Sequence, residues 1–230
     1  LRDPAGTGKR HAQEWHGHAD RLGFDRANTL VLGINEPHVW EPGVPEALTA
    51  YTVAFCDECA RLGLRAGAMQ LGVGWPANTG PDTPPDWSPY APVEAAIQRG
   101  NHALICHEYW ADQGPGENWG WWAGRTLRCP WQVPIIIAEC GIDMYVKDPG
   151  VSHHTRGWRG RVSPGRYAQE LAEYVSRMSA DSRFLGCCVF ASDFANQEWA
   201  RFDIEPAYRA ILSTPIPEPQ TPQGYIPVVG

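Results

Sequence analysis

The sequence predicts a parallel α/β fold, and three observations carry that prediction. Apolar runs of strand length without polar alternation recur along the chain, as in residues 29–34 and 134–138, the pattern of strands covered on both faces. Segments with apolar residues at helical spacing separate the runs, as parallel strands require for their crossovers. Two of the runs close on a carboxylate, Glu36 and Glu139, which at a strand end points into the cleft above the sheet. On pattern alone, a doubly wound sheet and a (β/α) barrel both satisfy these observations.

Taken in order, a first helix is expected over 11–22, stopped by Gly23, and a first strand over 29–36. Pro45 suits the opening of the next helix, where Leu48, Thr52, Phe55, Cys59 and Leu62 repeat at helical spacing up to Gly63. Residues 64–71 read as the second strand. A Pro/Gly/Asp-rich loop over 75–89 and a short helix near 93–99 lead to a third strand at 103–110, and an aromatic loop precedes the fourth, which ends at Glu139. After a polar loop over 143–163 comes the best-marked helix: Ser163 is its N-cap, Pro164 lies in its first turn, and Tyr167, Leu171, Tyr174, Val175 and Met178 share one face. Residues 184–191 are the fifth strand. Residues 1–213 thus read as one domain, and 214–230, with prolines at 215, 217, 219, 222 and 227, as an extended linker or tail.

Composition narrows the partners. A net charge of −7 with 20% charged residues argues against nucleic acid, which calls for a basic stripe. No apolar stretch approaches the ~20 residues of a membrane span, and the first nine residues lack the apolar core of a signal peptide. Seven cysteines, several of them inside strand runs (Cys106, Cys140, Cys187, Cys188), read as buried thiols and not as a disulfide framework. Cys56-Asp57-Glu58-Cys59 has metal-hook spacing, but it lies in a helical pattern and no second Cys or His pair repeats it, so helix cysteines and no metal are expected. No cofactor is expected either: Gly6-Thr7-Gly8-Lys9 follows no strand, and Arg10 stands where a phosphate loop needs a hydroxyl. His11, His16, His18, His153 and His154 read as surface residues, and Glu108, Asp143 and Asp193 as loop or outward-facing ones.

Two carboxylates at strand ends are what retaining glycoside hydrolysis requires. Asn35-Glu36-Pro37, His107-Glu108-Tyr109 and Ile137-Ala138-Glu139-Cys140-Gly141, in this order, resemble the motifs of clan A retaining glycoside hydrolases, family-5-like members in particular. The resemblance implies a (β/α)8 TIM-barrel fold in which the runs at 29, 64, 103 and 134 are the fourth to seventh strands. It implies Glu36 as acid/base and Glu139 as nucleophile. Tyr109 would donate to Glu139, His107 would contact substrate or order the acid/base, and Asn35 would bind the sugar 2-hydroxyl. Trp75, Trp110, Trp121 and Trp122 are candidate substrate-binding residues, because indole faces stack on pyranose C–H faces. Trp119, Trp121 and Trp122 read equally well as a satellite core pinning their loop. Taken singly, Asn-Glu-Pro is also turn sequence.

The match covers only the second part of such a barrel. Twenty-eight residues precede the first strand run, where the family places three strands and three helices, so the expected fold is a partial or truncated barrel of about five βα units. An Arg that supports the nucleophile in the family has no identified counterpart, and Phe190 is the nearest aromatic where many members carry a Trp on the eighth strand. A missing N-terminal segment or a second copy of the chain would complete the barrel; a shortened barrel retaining the site is the third alternative. The expected function is retaining hydrolysis of β-glycosidic bonds in a poly- or oligosaccharide, with a non-catalytic carbohydrate-binding or assembly module as the alternative. A serine hydrolase is disfavoured, since no Gly-Xaa-Ser-Xaa-Gly elbow occurs. A piece of a polysaccharide-degrading enzyme would be secreted or held at the cell surface.

Overall fold

The structure is a computed structural model, and it describes residues 2–78, 80, 82–117, 119–191 and 199–215. Asp193 and nearly all of the expected tail lie outside these residues. The strands β1 (Leu30–Leu32), β2 (Arg65–Leu71), β3 (Ala103–Trp110), β4 (Ile135–Ile142) and β5 (Phe184–Val189) are hydrogen-bonded neighbours in that order. The helices are α1 (Pro4–Leu22), α2 (Val44–Arg61), α3 (Ala91–Arg99), α4 (Pro164–Met178) and α5 (Tyr208–Ser213). β1 with β2 and β2 with β3 pair in parallel. The α/β class and the five strands follow the expectation from sequence. The residues group into two compact units, one of 1–78, 84–106 and 129–135, the other of 79–83, 107–128 and 136–230. No helix among the described residues is long and apolar enough to cross a membrane.

In the first unit α1 begins seven residues earlier than its periodicity indicates. Asp3 caps it by accepting from the Gly6 N–H at 2.9 Å, and Pro4 takes the first position, where its missing N–H costs nothing. Glycine is costly in a helix interior, yet Gly8 is there for packing: a Cβ would lie 2.3 Å from the Tyr51 carbonyl oxygen of α2. His11, expected at the surface, is half-buried and hydrogen-bonded to the Tyr51 hydroxyl. β1 is shorter than the run that announced it and ends the strand order on its side. The Trp15 indole N–H donates to Leu32 O at 2.9 Å, so a side chain meets one backbone acceptor of this end strand.

Buried His102 ties β2 to α2. Its Nδ1 accepts from the Ala66 N–H at 3.0 Å, and its Nε2 donates to Cys56 O at 2.8 Å, which fixes the neutral tautomer. Burial pulls its pKa down. Gly100 makes room, since a Cβ there would fall 2.0 Å from His102 Nε2. Cys56 and Cys59 are buried on α2; burial pushes both thiols up, Cys59 to about 12. Thiols held protonated are poor metal ligands, and neither belongs to a group of three potential metal ligands among the described residues.

In the second unit α4 follows its sequence signals closely. Ser163 caps it by accepting from the Arg166 N–H at 3.2 Å, and Tyr167, Leu171, Tyr174 and Met178 are buried. Tyr174 stacks on Trp110 at 5.0 Å and Tyr167 on Trp158 at 4.8 Å, offset ring pairs that add ~0.5–1.5 kcal/mol beyond area burial.

Candidate functional site

The candidate residues fall in both units. In the first, Glu36 lies four residues beyond the end of β1, not at the strand end, in left-handed backbone (φ 42°) and exposed. A bulge in β2 holds it. Met69 pairs with Ile105 and Leu71 with Cys106, which leaves Gln70 as the extra residue. Met69 and Gln70 also have positive φ, 83° and 44°, and each such non-glycine residue costs ~1–3 kcal/mol. The bulge turns Gln70 O to accept the Glu36 N–H at 3.1 Å, while the buried Gln70 amide donates from Nε2 to Gly33 O at 2.8 Å. Both ends of the Gly33–Glu36 segment are thus fastened to one residue.

Gly72 completes this seat, because a Cβ there would lie 3.2 Å from the carboxyl carbon of Glu36. Asn35 is exposed beside it, and Trp75 is half-buried three residues beyond Gly72. The sequence analysis missed Gln70. The available signal was a primary amide inside the apolar run Ala68-Met69-Gln70-Leu71, since a buried amide needs partners.

In the second unit β3 and β4 bring Tyr109, His107 and Glu139 together. The Tyr109 hydroxyl donates to Glu139 Oε2 at 2.8 Å, and His107 Nδ1 lies 3.5 Å from the same oxygen. Glu139 is the fifth of the eight residues of β4, inside the strand and not at its end, and its side chain keeps 25% exposure. Burial, then the charge of Glu139, raises the Tyr109 pKa well above the ordinary tyrosine value, so the phenol remains a proton donor to the carboxylate at neutral pH. Edge contacts from Phe190 and Phe202, with centroids at 6.3 and 6.4 Å, brace the Tyr109 ring. A carboxylate that is partly open to solvent and held by a phenol is fixed in direction while one face stays accessible.

Two expectations are corrected in this unit. Trp110 faces no substrate: it is fully buried, stacked on Tyr174, and its indole N–H donates to Glu170 Oε2 at 3.0 Å. Glu108 does not face outward. It is 0% exposed and accepts from the Gly124 N–H at 2.6 Å, the Thr126 N–H at 2.8 Å and the Tyr174 hydroxyl at 2.8 Å, so its carboxylate pins the loop after β3. Asp143 lies in the loop after β4, as expected, and is buried there; it accepts from the Tyr145 N–H and pairs with Arg156. The Arg156 guanidinium covers the Tyr145 ring at 4.7 Å and the Trp199 ring at 5.7 Å, which fastens the loop between β4 and α4. Trp121 and Trp122 are half-buried and stacked on one another at 4.9 Å, while Trp119 packs edge-on against Tyr174 and under Arg177.

No family model matches the sequence, and no curated protein matches it either. Among solved structures, the chain is similar to a GH128 (subgroup II) endo-β-1,3-glucanase from Pseudomonas viridiflava. The two are 17% identical, the match covers 88% of this chain and 76% of that one, and the TM-score is 0.50. An agarase is 13% identical over 73% of this chain, which spans 25% of the agarase, with a TM-score of 0.42. The likeness to the glucanase is one of fold: a glycoside hydrolase of known structure shares this α/β arrangement of strands and helices.

Proposed function

We propose that this chain is a retaining glycoside hydrolase that cleaves β-glycosidic bonds of a poly- or oligosaccharide. The observation that carries the reading is the Tyr109 hydroxyl on Glu139 at 2.8 Å, beside His107 on the same oxygen. Glu139 attacks the anomeric carbon, the bond to the leaving oxygen breaks, and Glu36 gives that oxygen its proton. Glu36 then takes a proton from water as the water opens the glycosyl ester. Asn35, next to Glu36, binds the 2-hydroxyl of the reacting sugar, and the stacked pair Trp121 and Trp122 offers an aromatic surface. The named activity of the glucanase of similar fold makes a β-1,3-glucan the first substrate to test.

The test combines a 2-fluoro glycoside with mass spectrometry and hydrolysis assays. The unaltered chain is expected to gain one glycosyl mass on Glu139, Glu139→Gln to gain none, and Glu36→Gln to release the adduct slowly, with hydrolysis reduced about 10³-fold or more in both variants. Hydrolysis by both variants at the unaltered rate overturns the assignment. A chain that binds the glucan and never hydrolyses it is the non-catalytic alternative.

A further inference from the structure

Trp40 has no part in the chemistry above, yet it stands out on the surface of the first unit. It is 57% exposed, while its neighbour Val39 is 4% exposed. The segment is not loose: the Val39 N–H donates to Pro37 O at 2.8 Å and the Glu41 N–H to His38 O at 3.1 Å. The His38 imidazole lies flat against the Trp40 indole (4.5 Å, 21°) and is itself 3.6 Å from Glu41 Oε1. One indole face is therefore backed by a ring, and the exposure lies on the rest of the side chain. Trp75 stands 6.0 Å away, tilted by 37°.

Both indoles rise from the segments that seat Glu36. Trp40 follows Glu36 by four residues. The Trp75 N–H bonds Gly72 O at 3.2 Å, and Gly72 is the residue against which the Glu36 carboxyl packs. A rigid, backed indole with a second indole beside it presents apolar faces of pyranose size, and leaving such a surface in water has no benefit for folding. The group that protonates the departing oxygen stands on the leaving-group side of the scissile bond, so an aromatic surface on the same two segments belongs to that side.

We propose that Trp40 and Trp75, with His38 behind Trp40, form a pyranose-stacking subsite for the sugar on the leaving-group side of Glu36. This rests on the reading of Glu36 as acid/base, and the experiment separates the two. Binding of a β-1,3-linked glucan hexasaccharide is measured by calorimetry on Glu139→Gln, with and without Trp40→Ala. Removal of Trp40 is expected to weaken binding about tenfold, with Trp40→Phe recovering part of it. In chains that retain Glu139, kcat/KM is compared on the hexasaccharide and on a glycosyl fluoride, whose leaving group carries no sugar. Trp40→Ala is expected to lower the first at least tenfold more than the second. Equal losses on both substrates, or binding unchanged by Trp40→Ala, overturn the subsite and leave the glycosidase reading standing. Absence of binding and of hydrolysis with Trp40 intact overturns the glycosidase reading, and the subsite with it.

Discussion

Tyr109 gives Glu139 its hydrogen bond from a buried ring wedged between Phe190 and Phe202, so removing the hydroxyl alone should leave the packing in place. Tyr109→Phe is expected to lower kcat about 10–100-fold. Steady-state hydrolysis of the glucan checks the loss. His102 makes a second residue-scale prediction. Its folded pKa lies below the ordinary histidine value, so the unfolded chain binds more protons wherever the two differ. Its stability contribution is then whole above about pH 6.5 and lost as pH falls below that value toward the folded pKa. Urea unfolding of His102→Asn, which removes the titrating ring, should show a flatter fall in that window than the unaltered chain. The two residues differ in legibility. Tyr109 and Glu139 were read from motifs because each motif marks its own strand, whereas the role of His102 is made by partners 36 and 46 residues away.

At the scale of elements, α4 was readable to its cap because every signal it uses is local. The start of α1 was not, since Gly8 is a penalty within the helix and an asset only against α2. The β2 bulge is the same kind of case. Nothing in Ala68-Met69-Gln70-Leu71 announces two left-handed residues, because the strain is sustained by the bonds from Gln70 to Gly33 and Glu36. Glu108 was misjudged for a related reason: a carboxylate in a strand looks like an outward residue until the loop that satisfies it is in view. Its prediction concerns that loop. Glu108→Gln turns an amide toward groups that are all donors, Gly124 N, Thr126 N and the Tyr174 hydroxyl, and should cost about 1–3 kcal/mol. Thermal unfolding measures the cost, and increased quenching of indole emission by acrylamide would report the release of Trp121 and Trp122.

For the whole molecule, the order of strands along the sheet is the order of strands along the chain. Hydrophobic alternation between helix and strand patterns can reveal that arrangement, because each crossover is short enough to be read as a unit. The division into two compact units was not readable, since it passes through β3 and β4, each of which reads as a single strand in the sequence. The end strand β1 is also engaged by a helix. Trp15 occupies the Leu32 oxygen from α1, so a strand arriving from another molecule competes for an acceptor already in use. That bond is worth ~0.5–1.5 kcal/mol. The end strand and the first helix are therefore coupled, since α1 cannot leave β1 without giving up this bond.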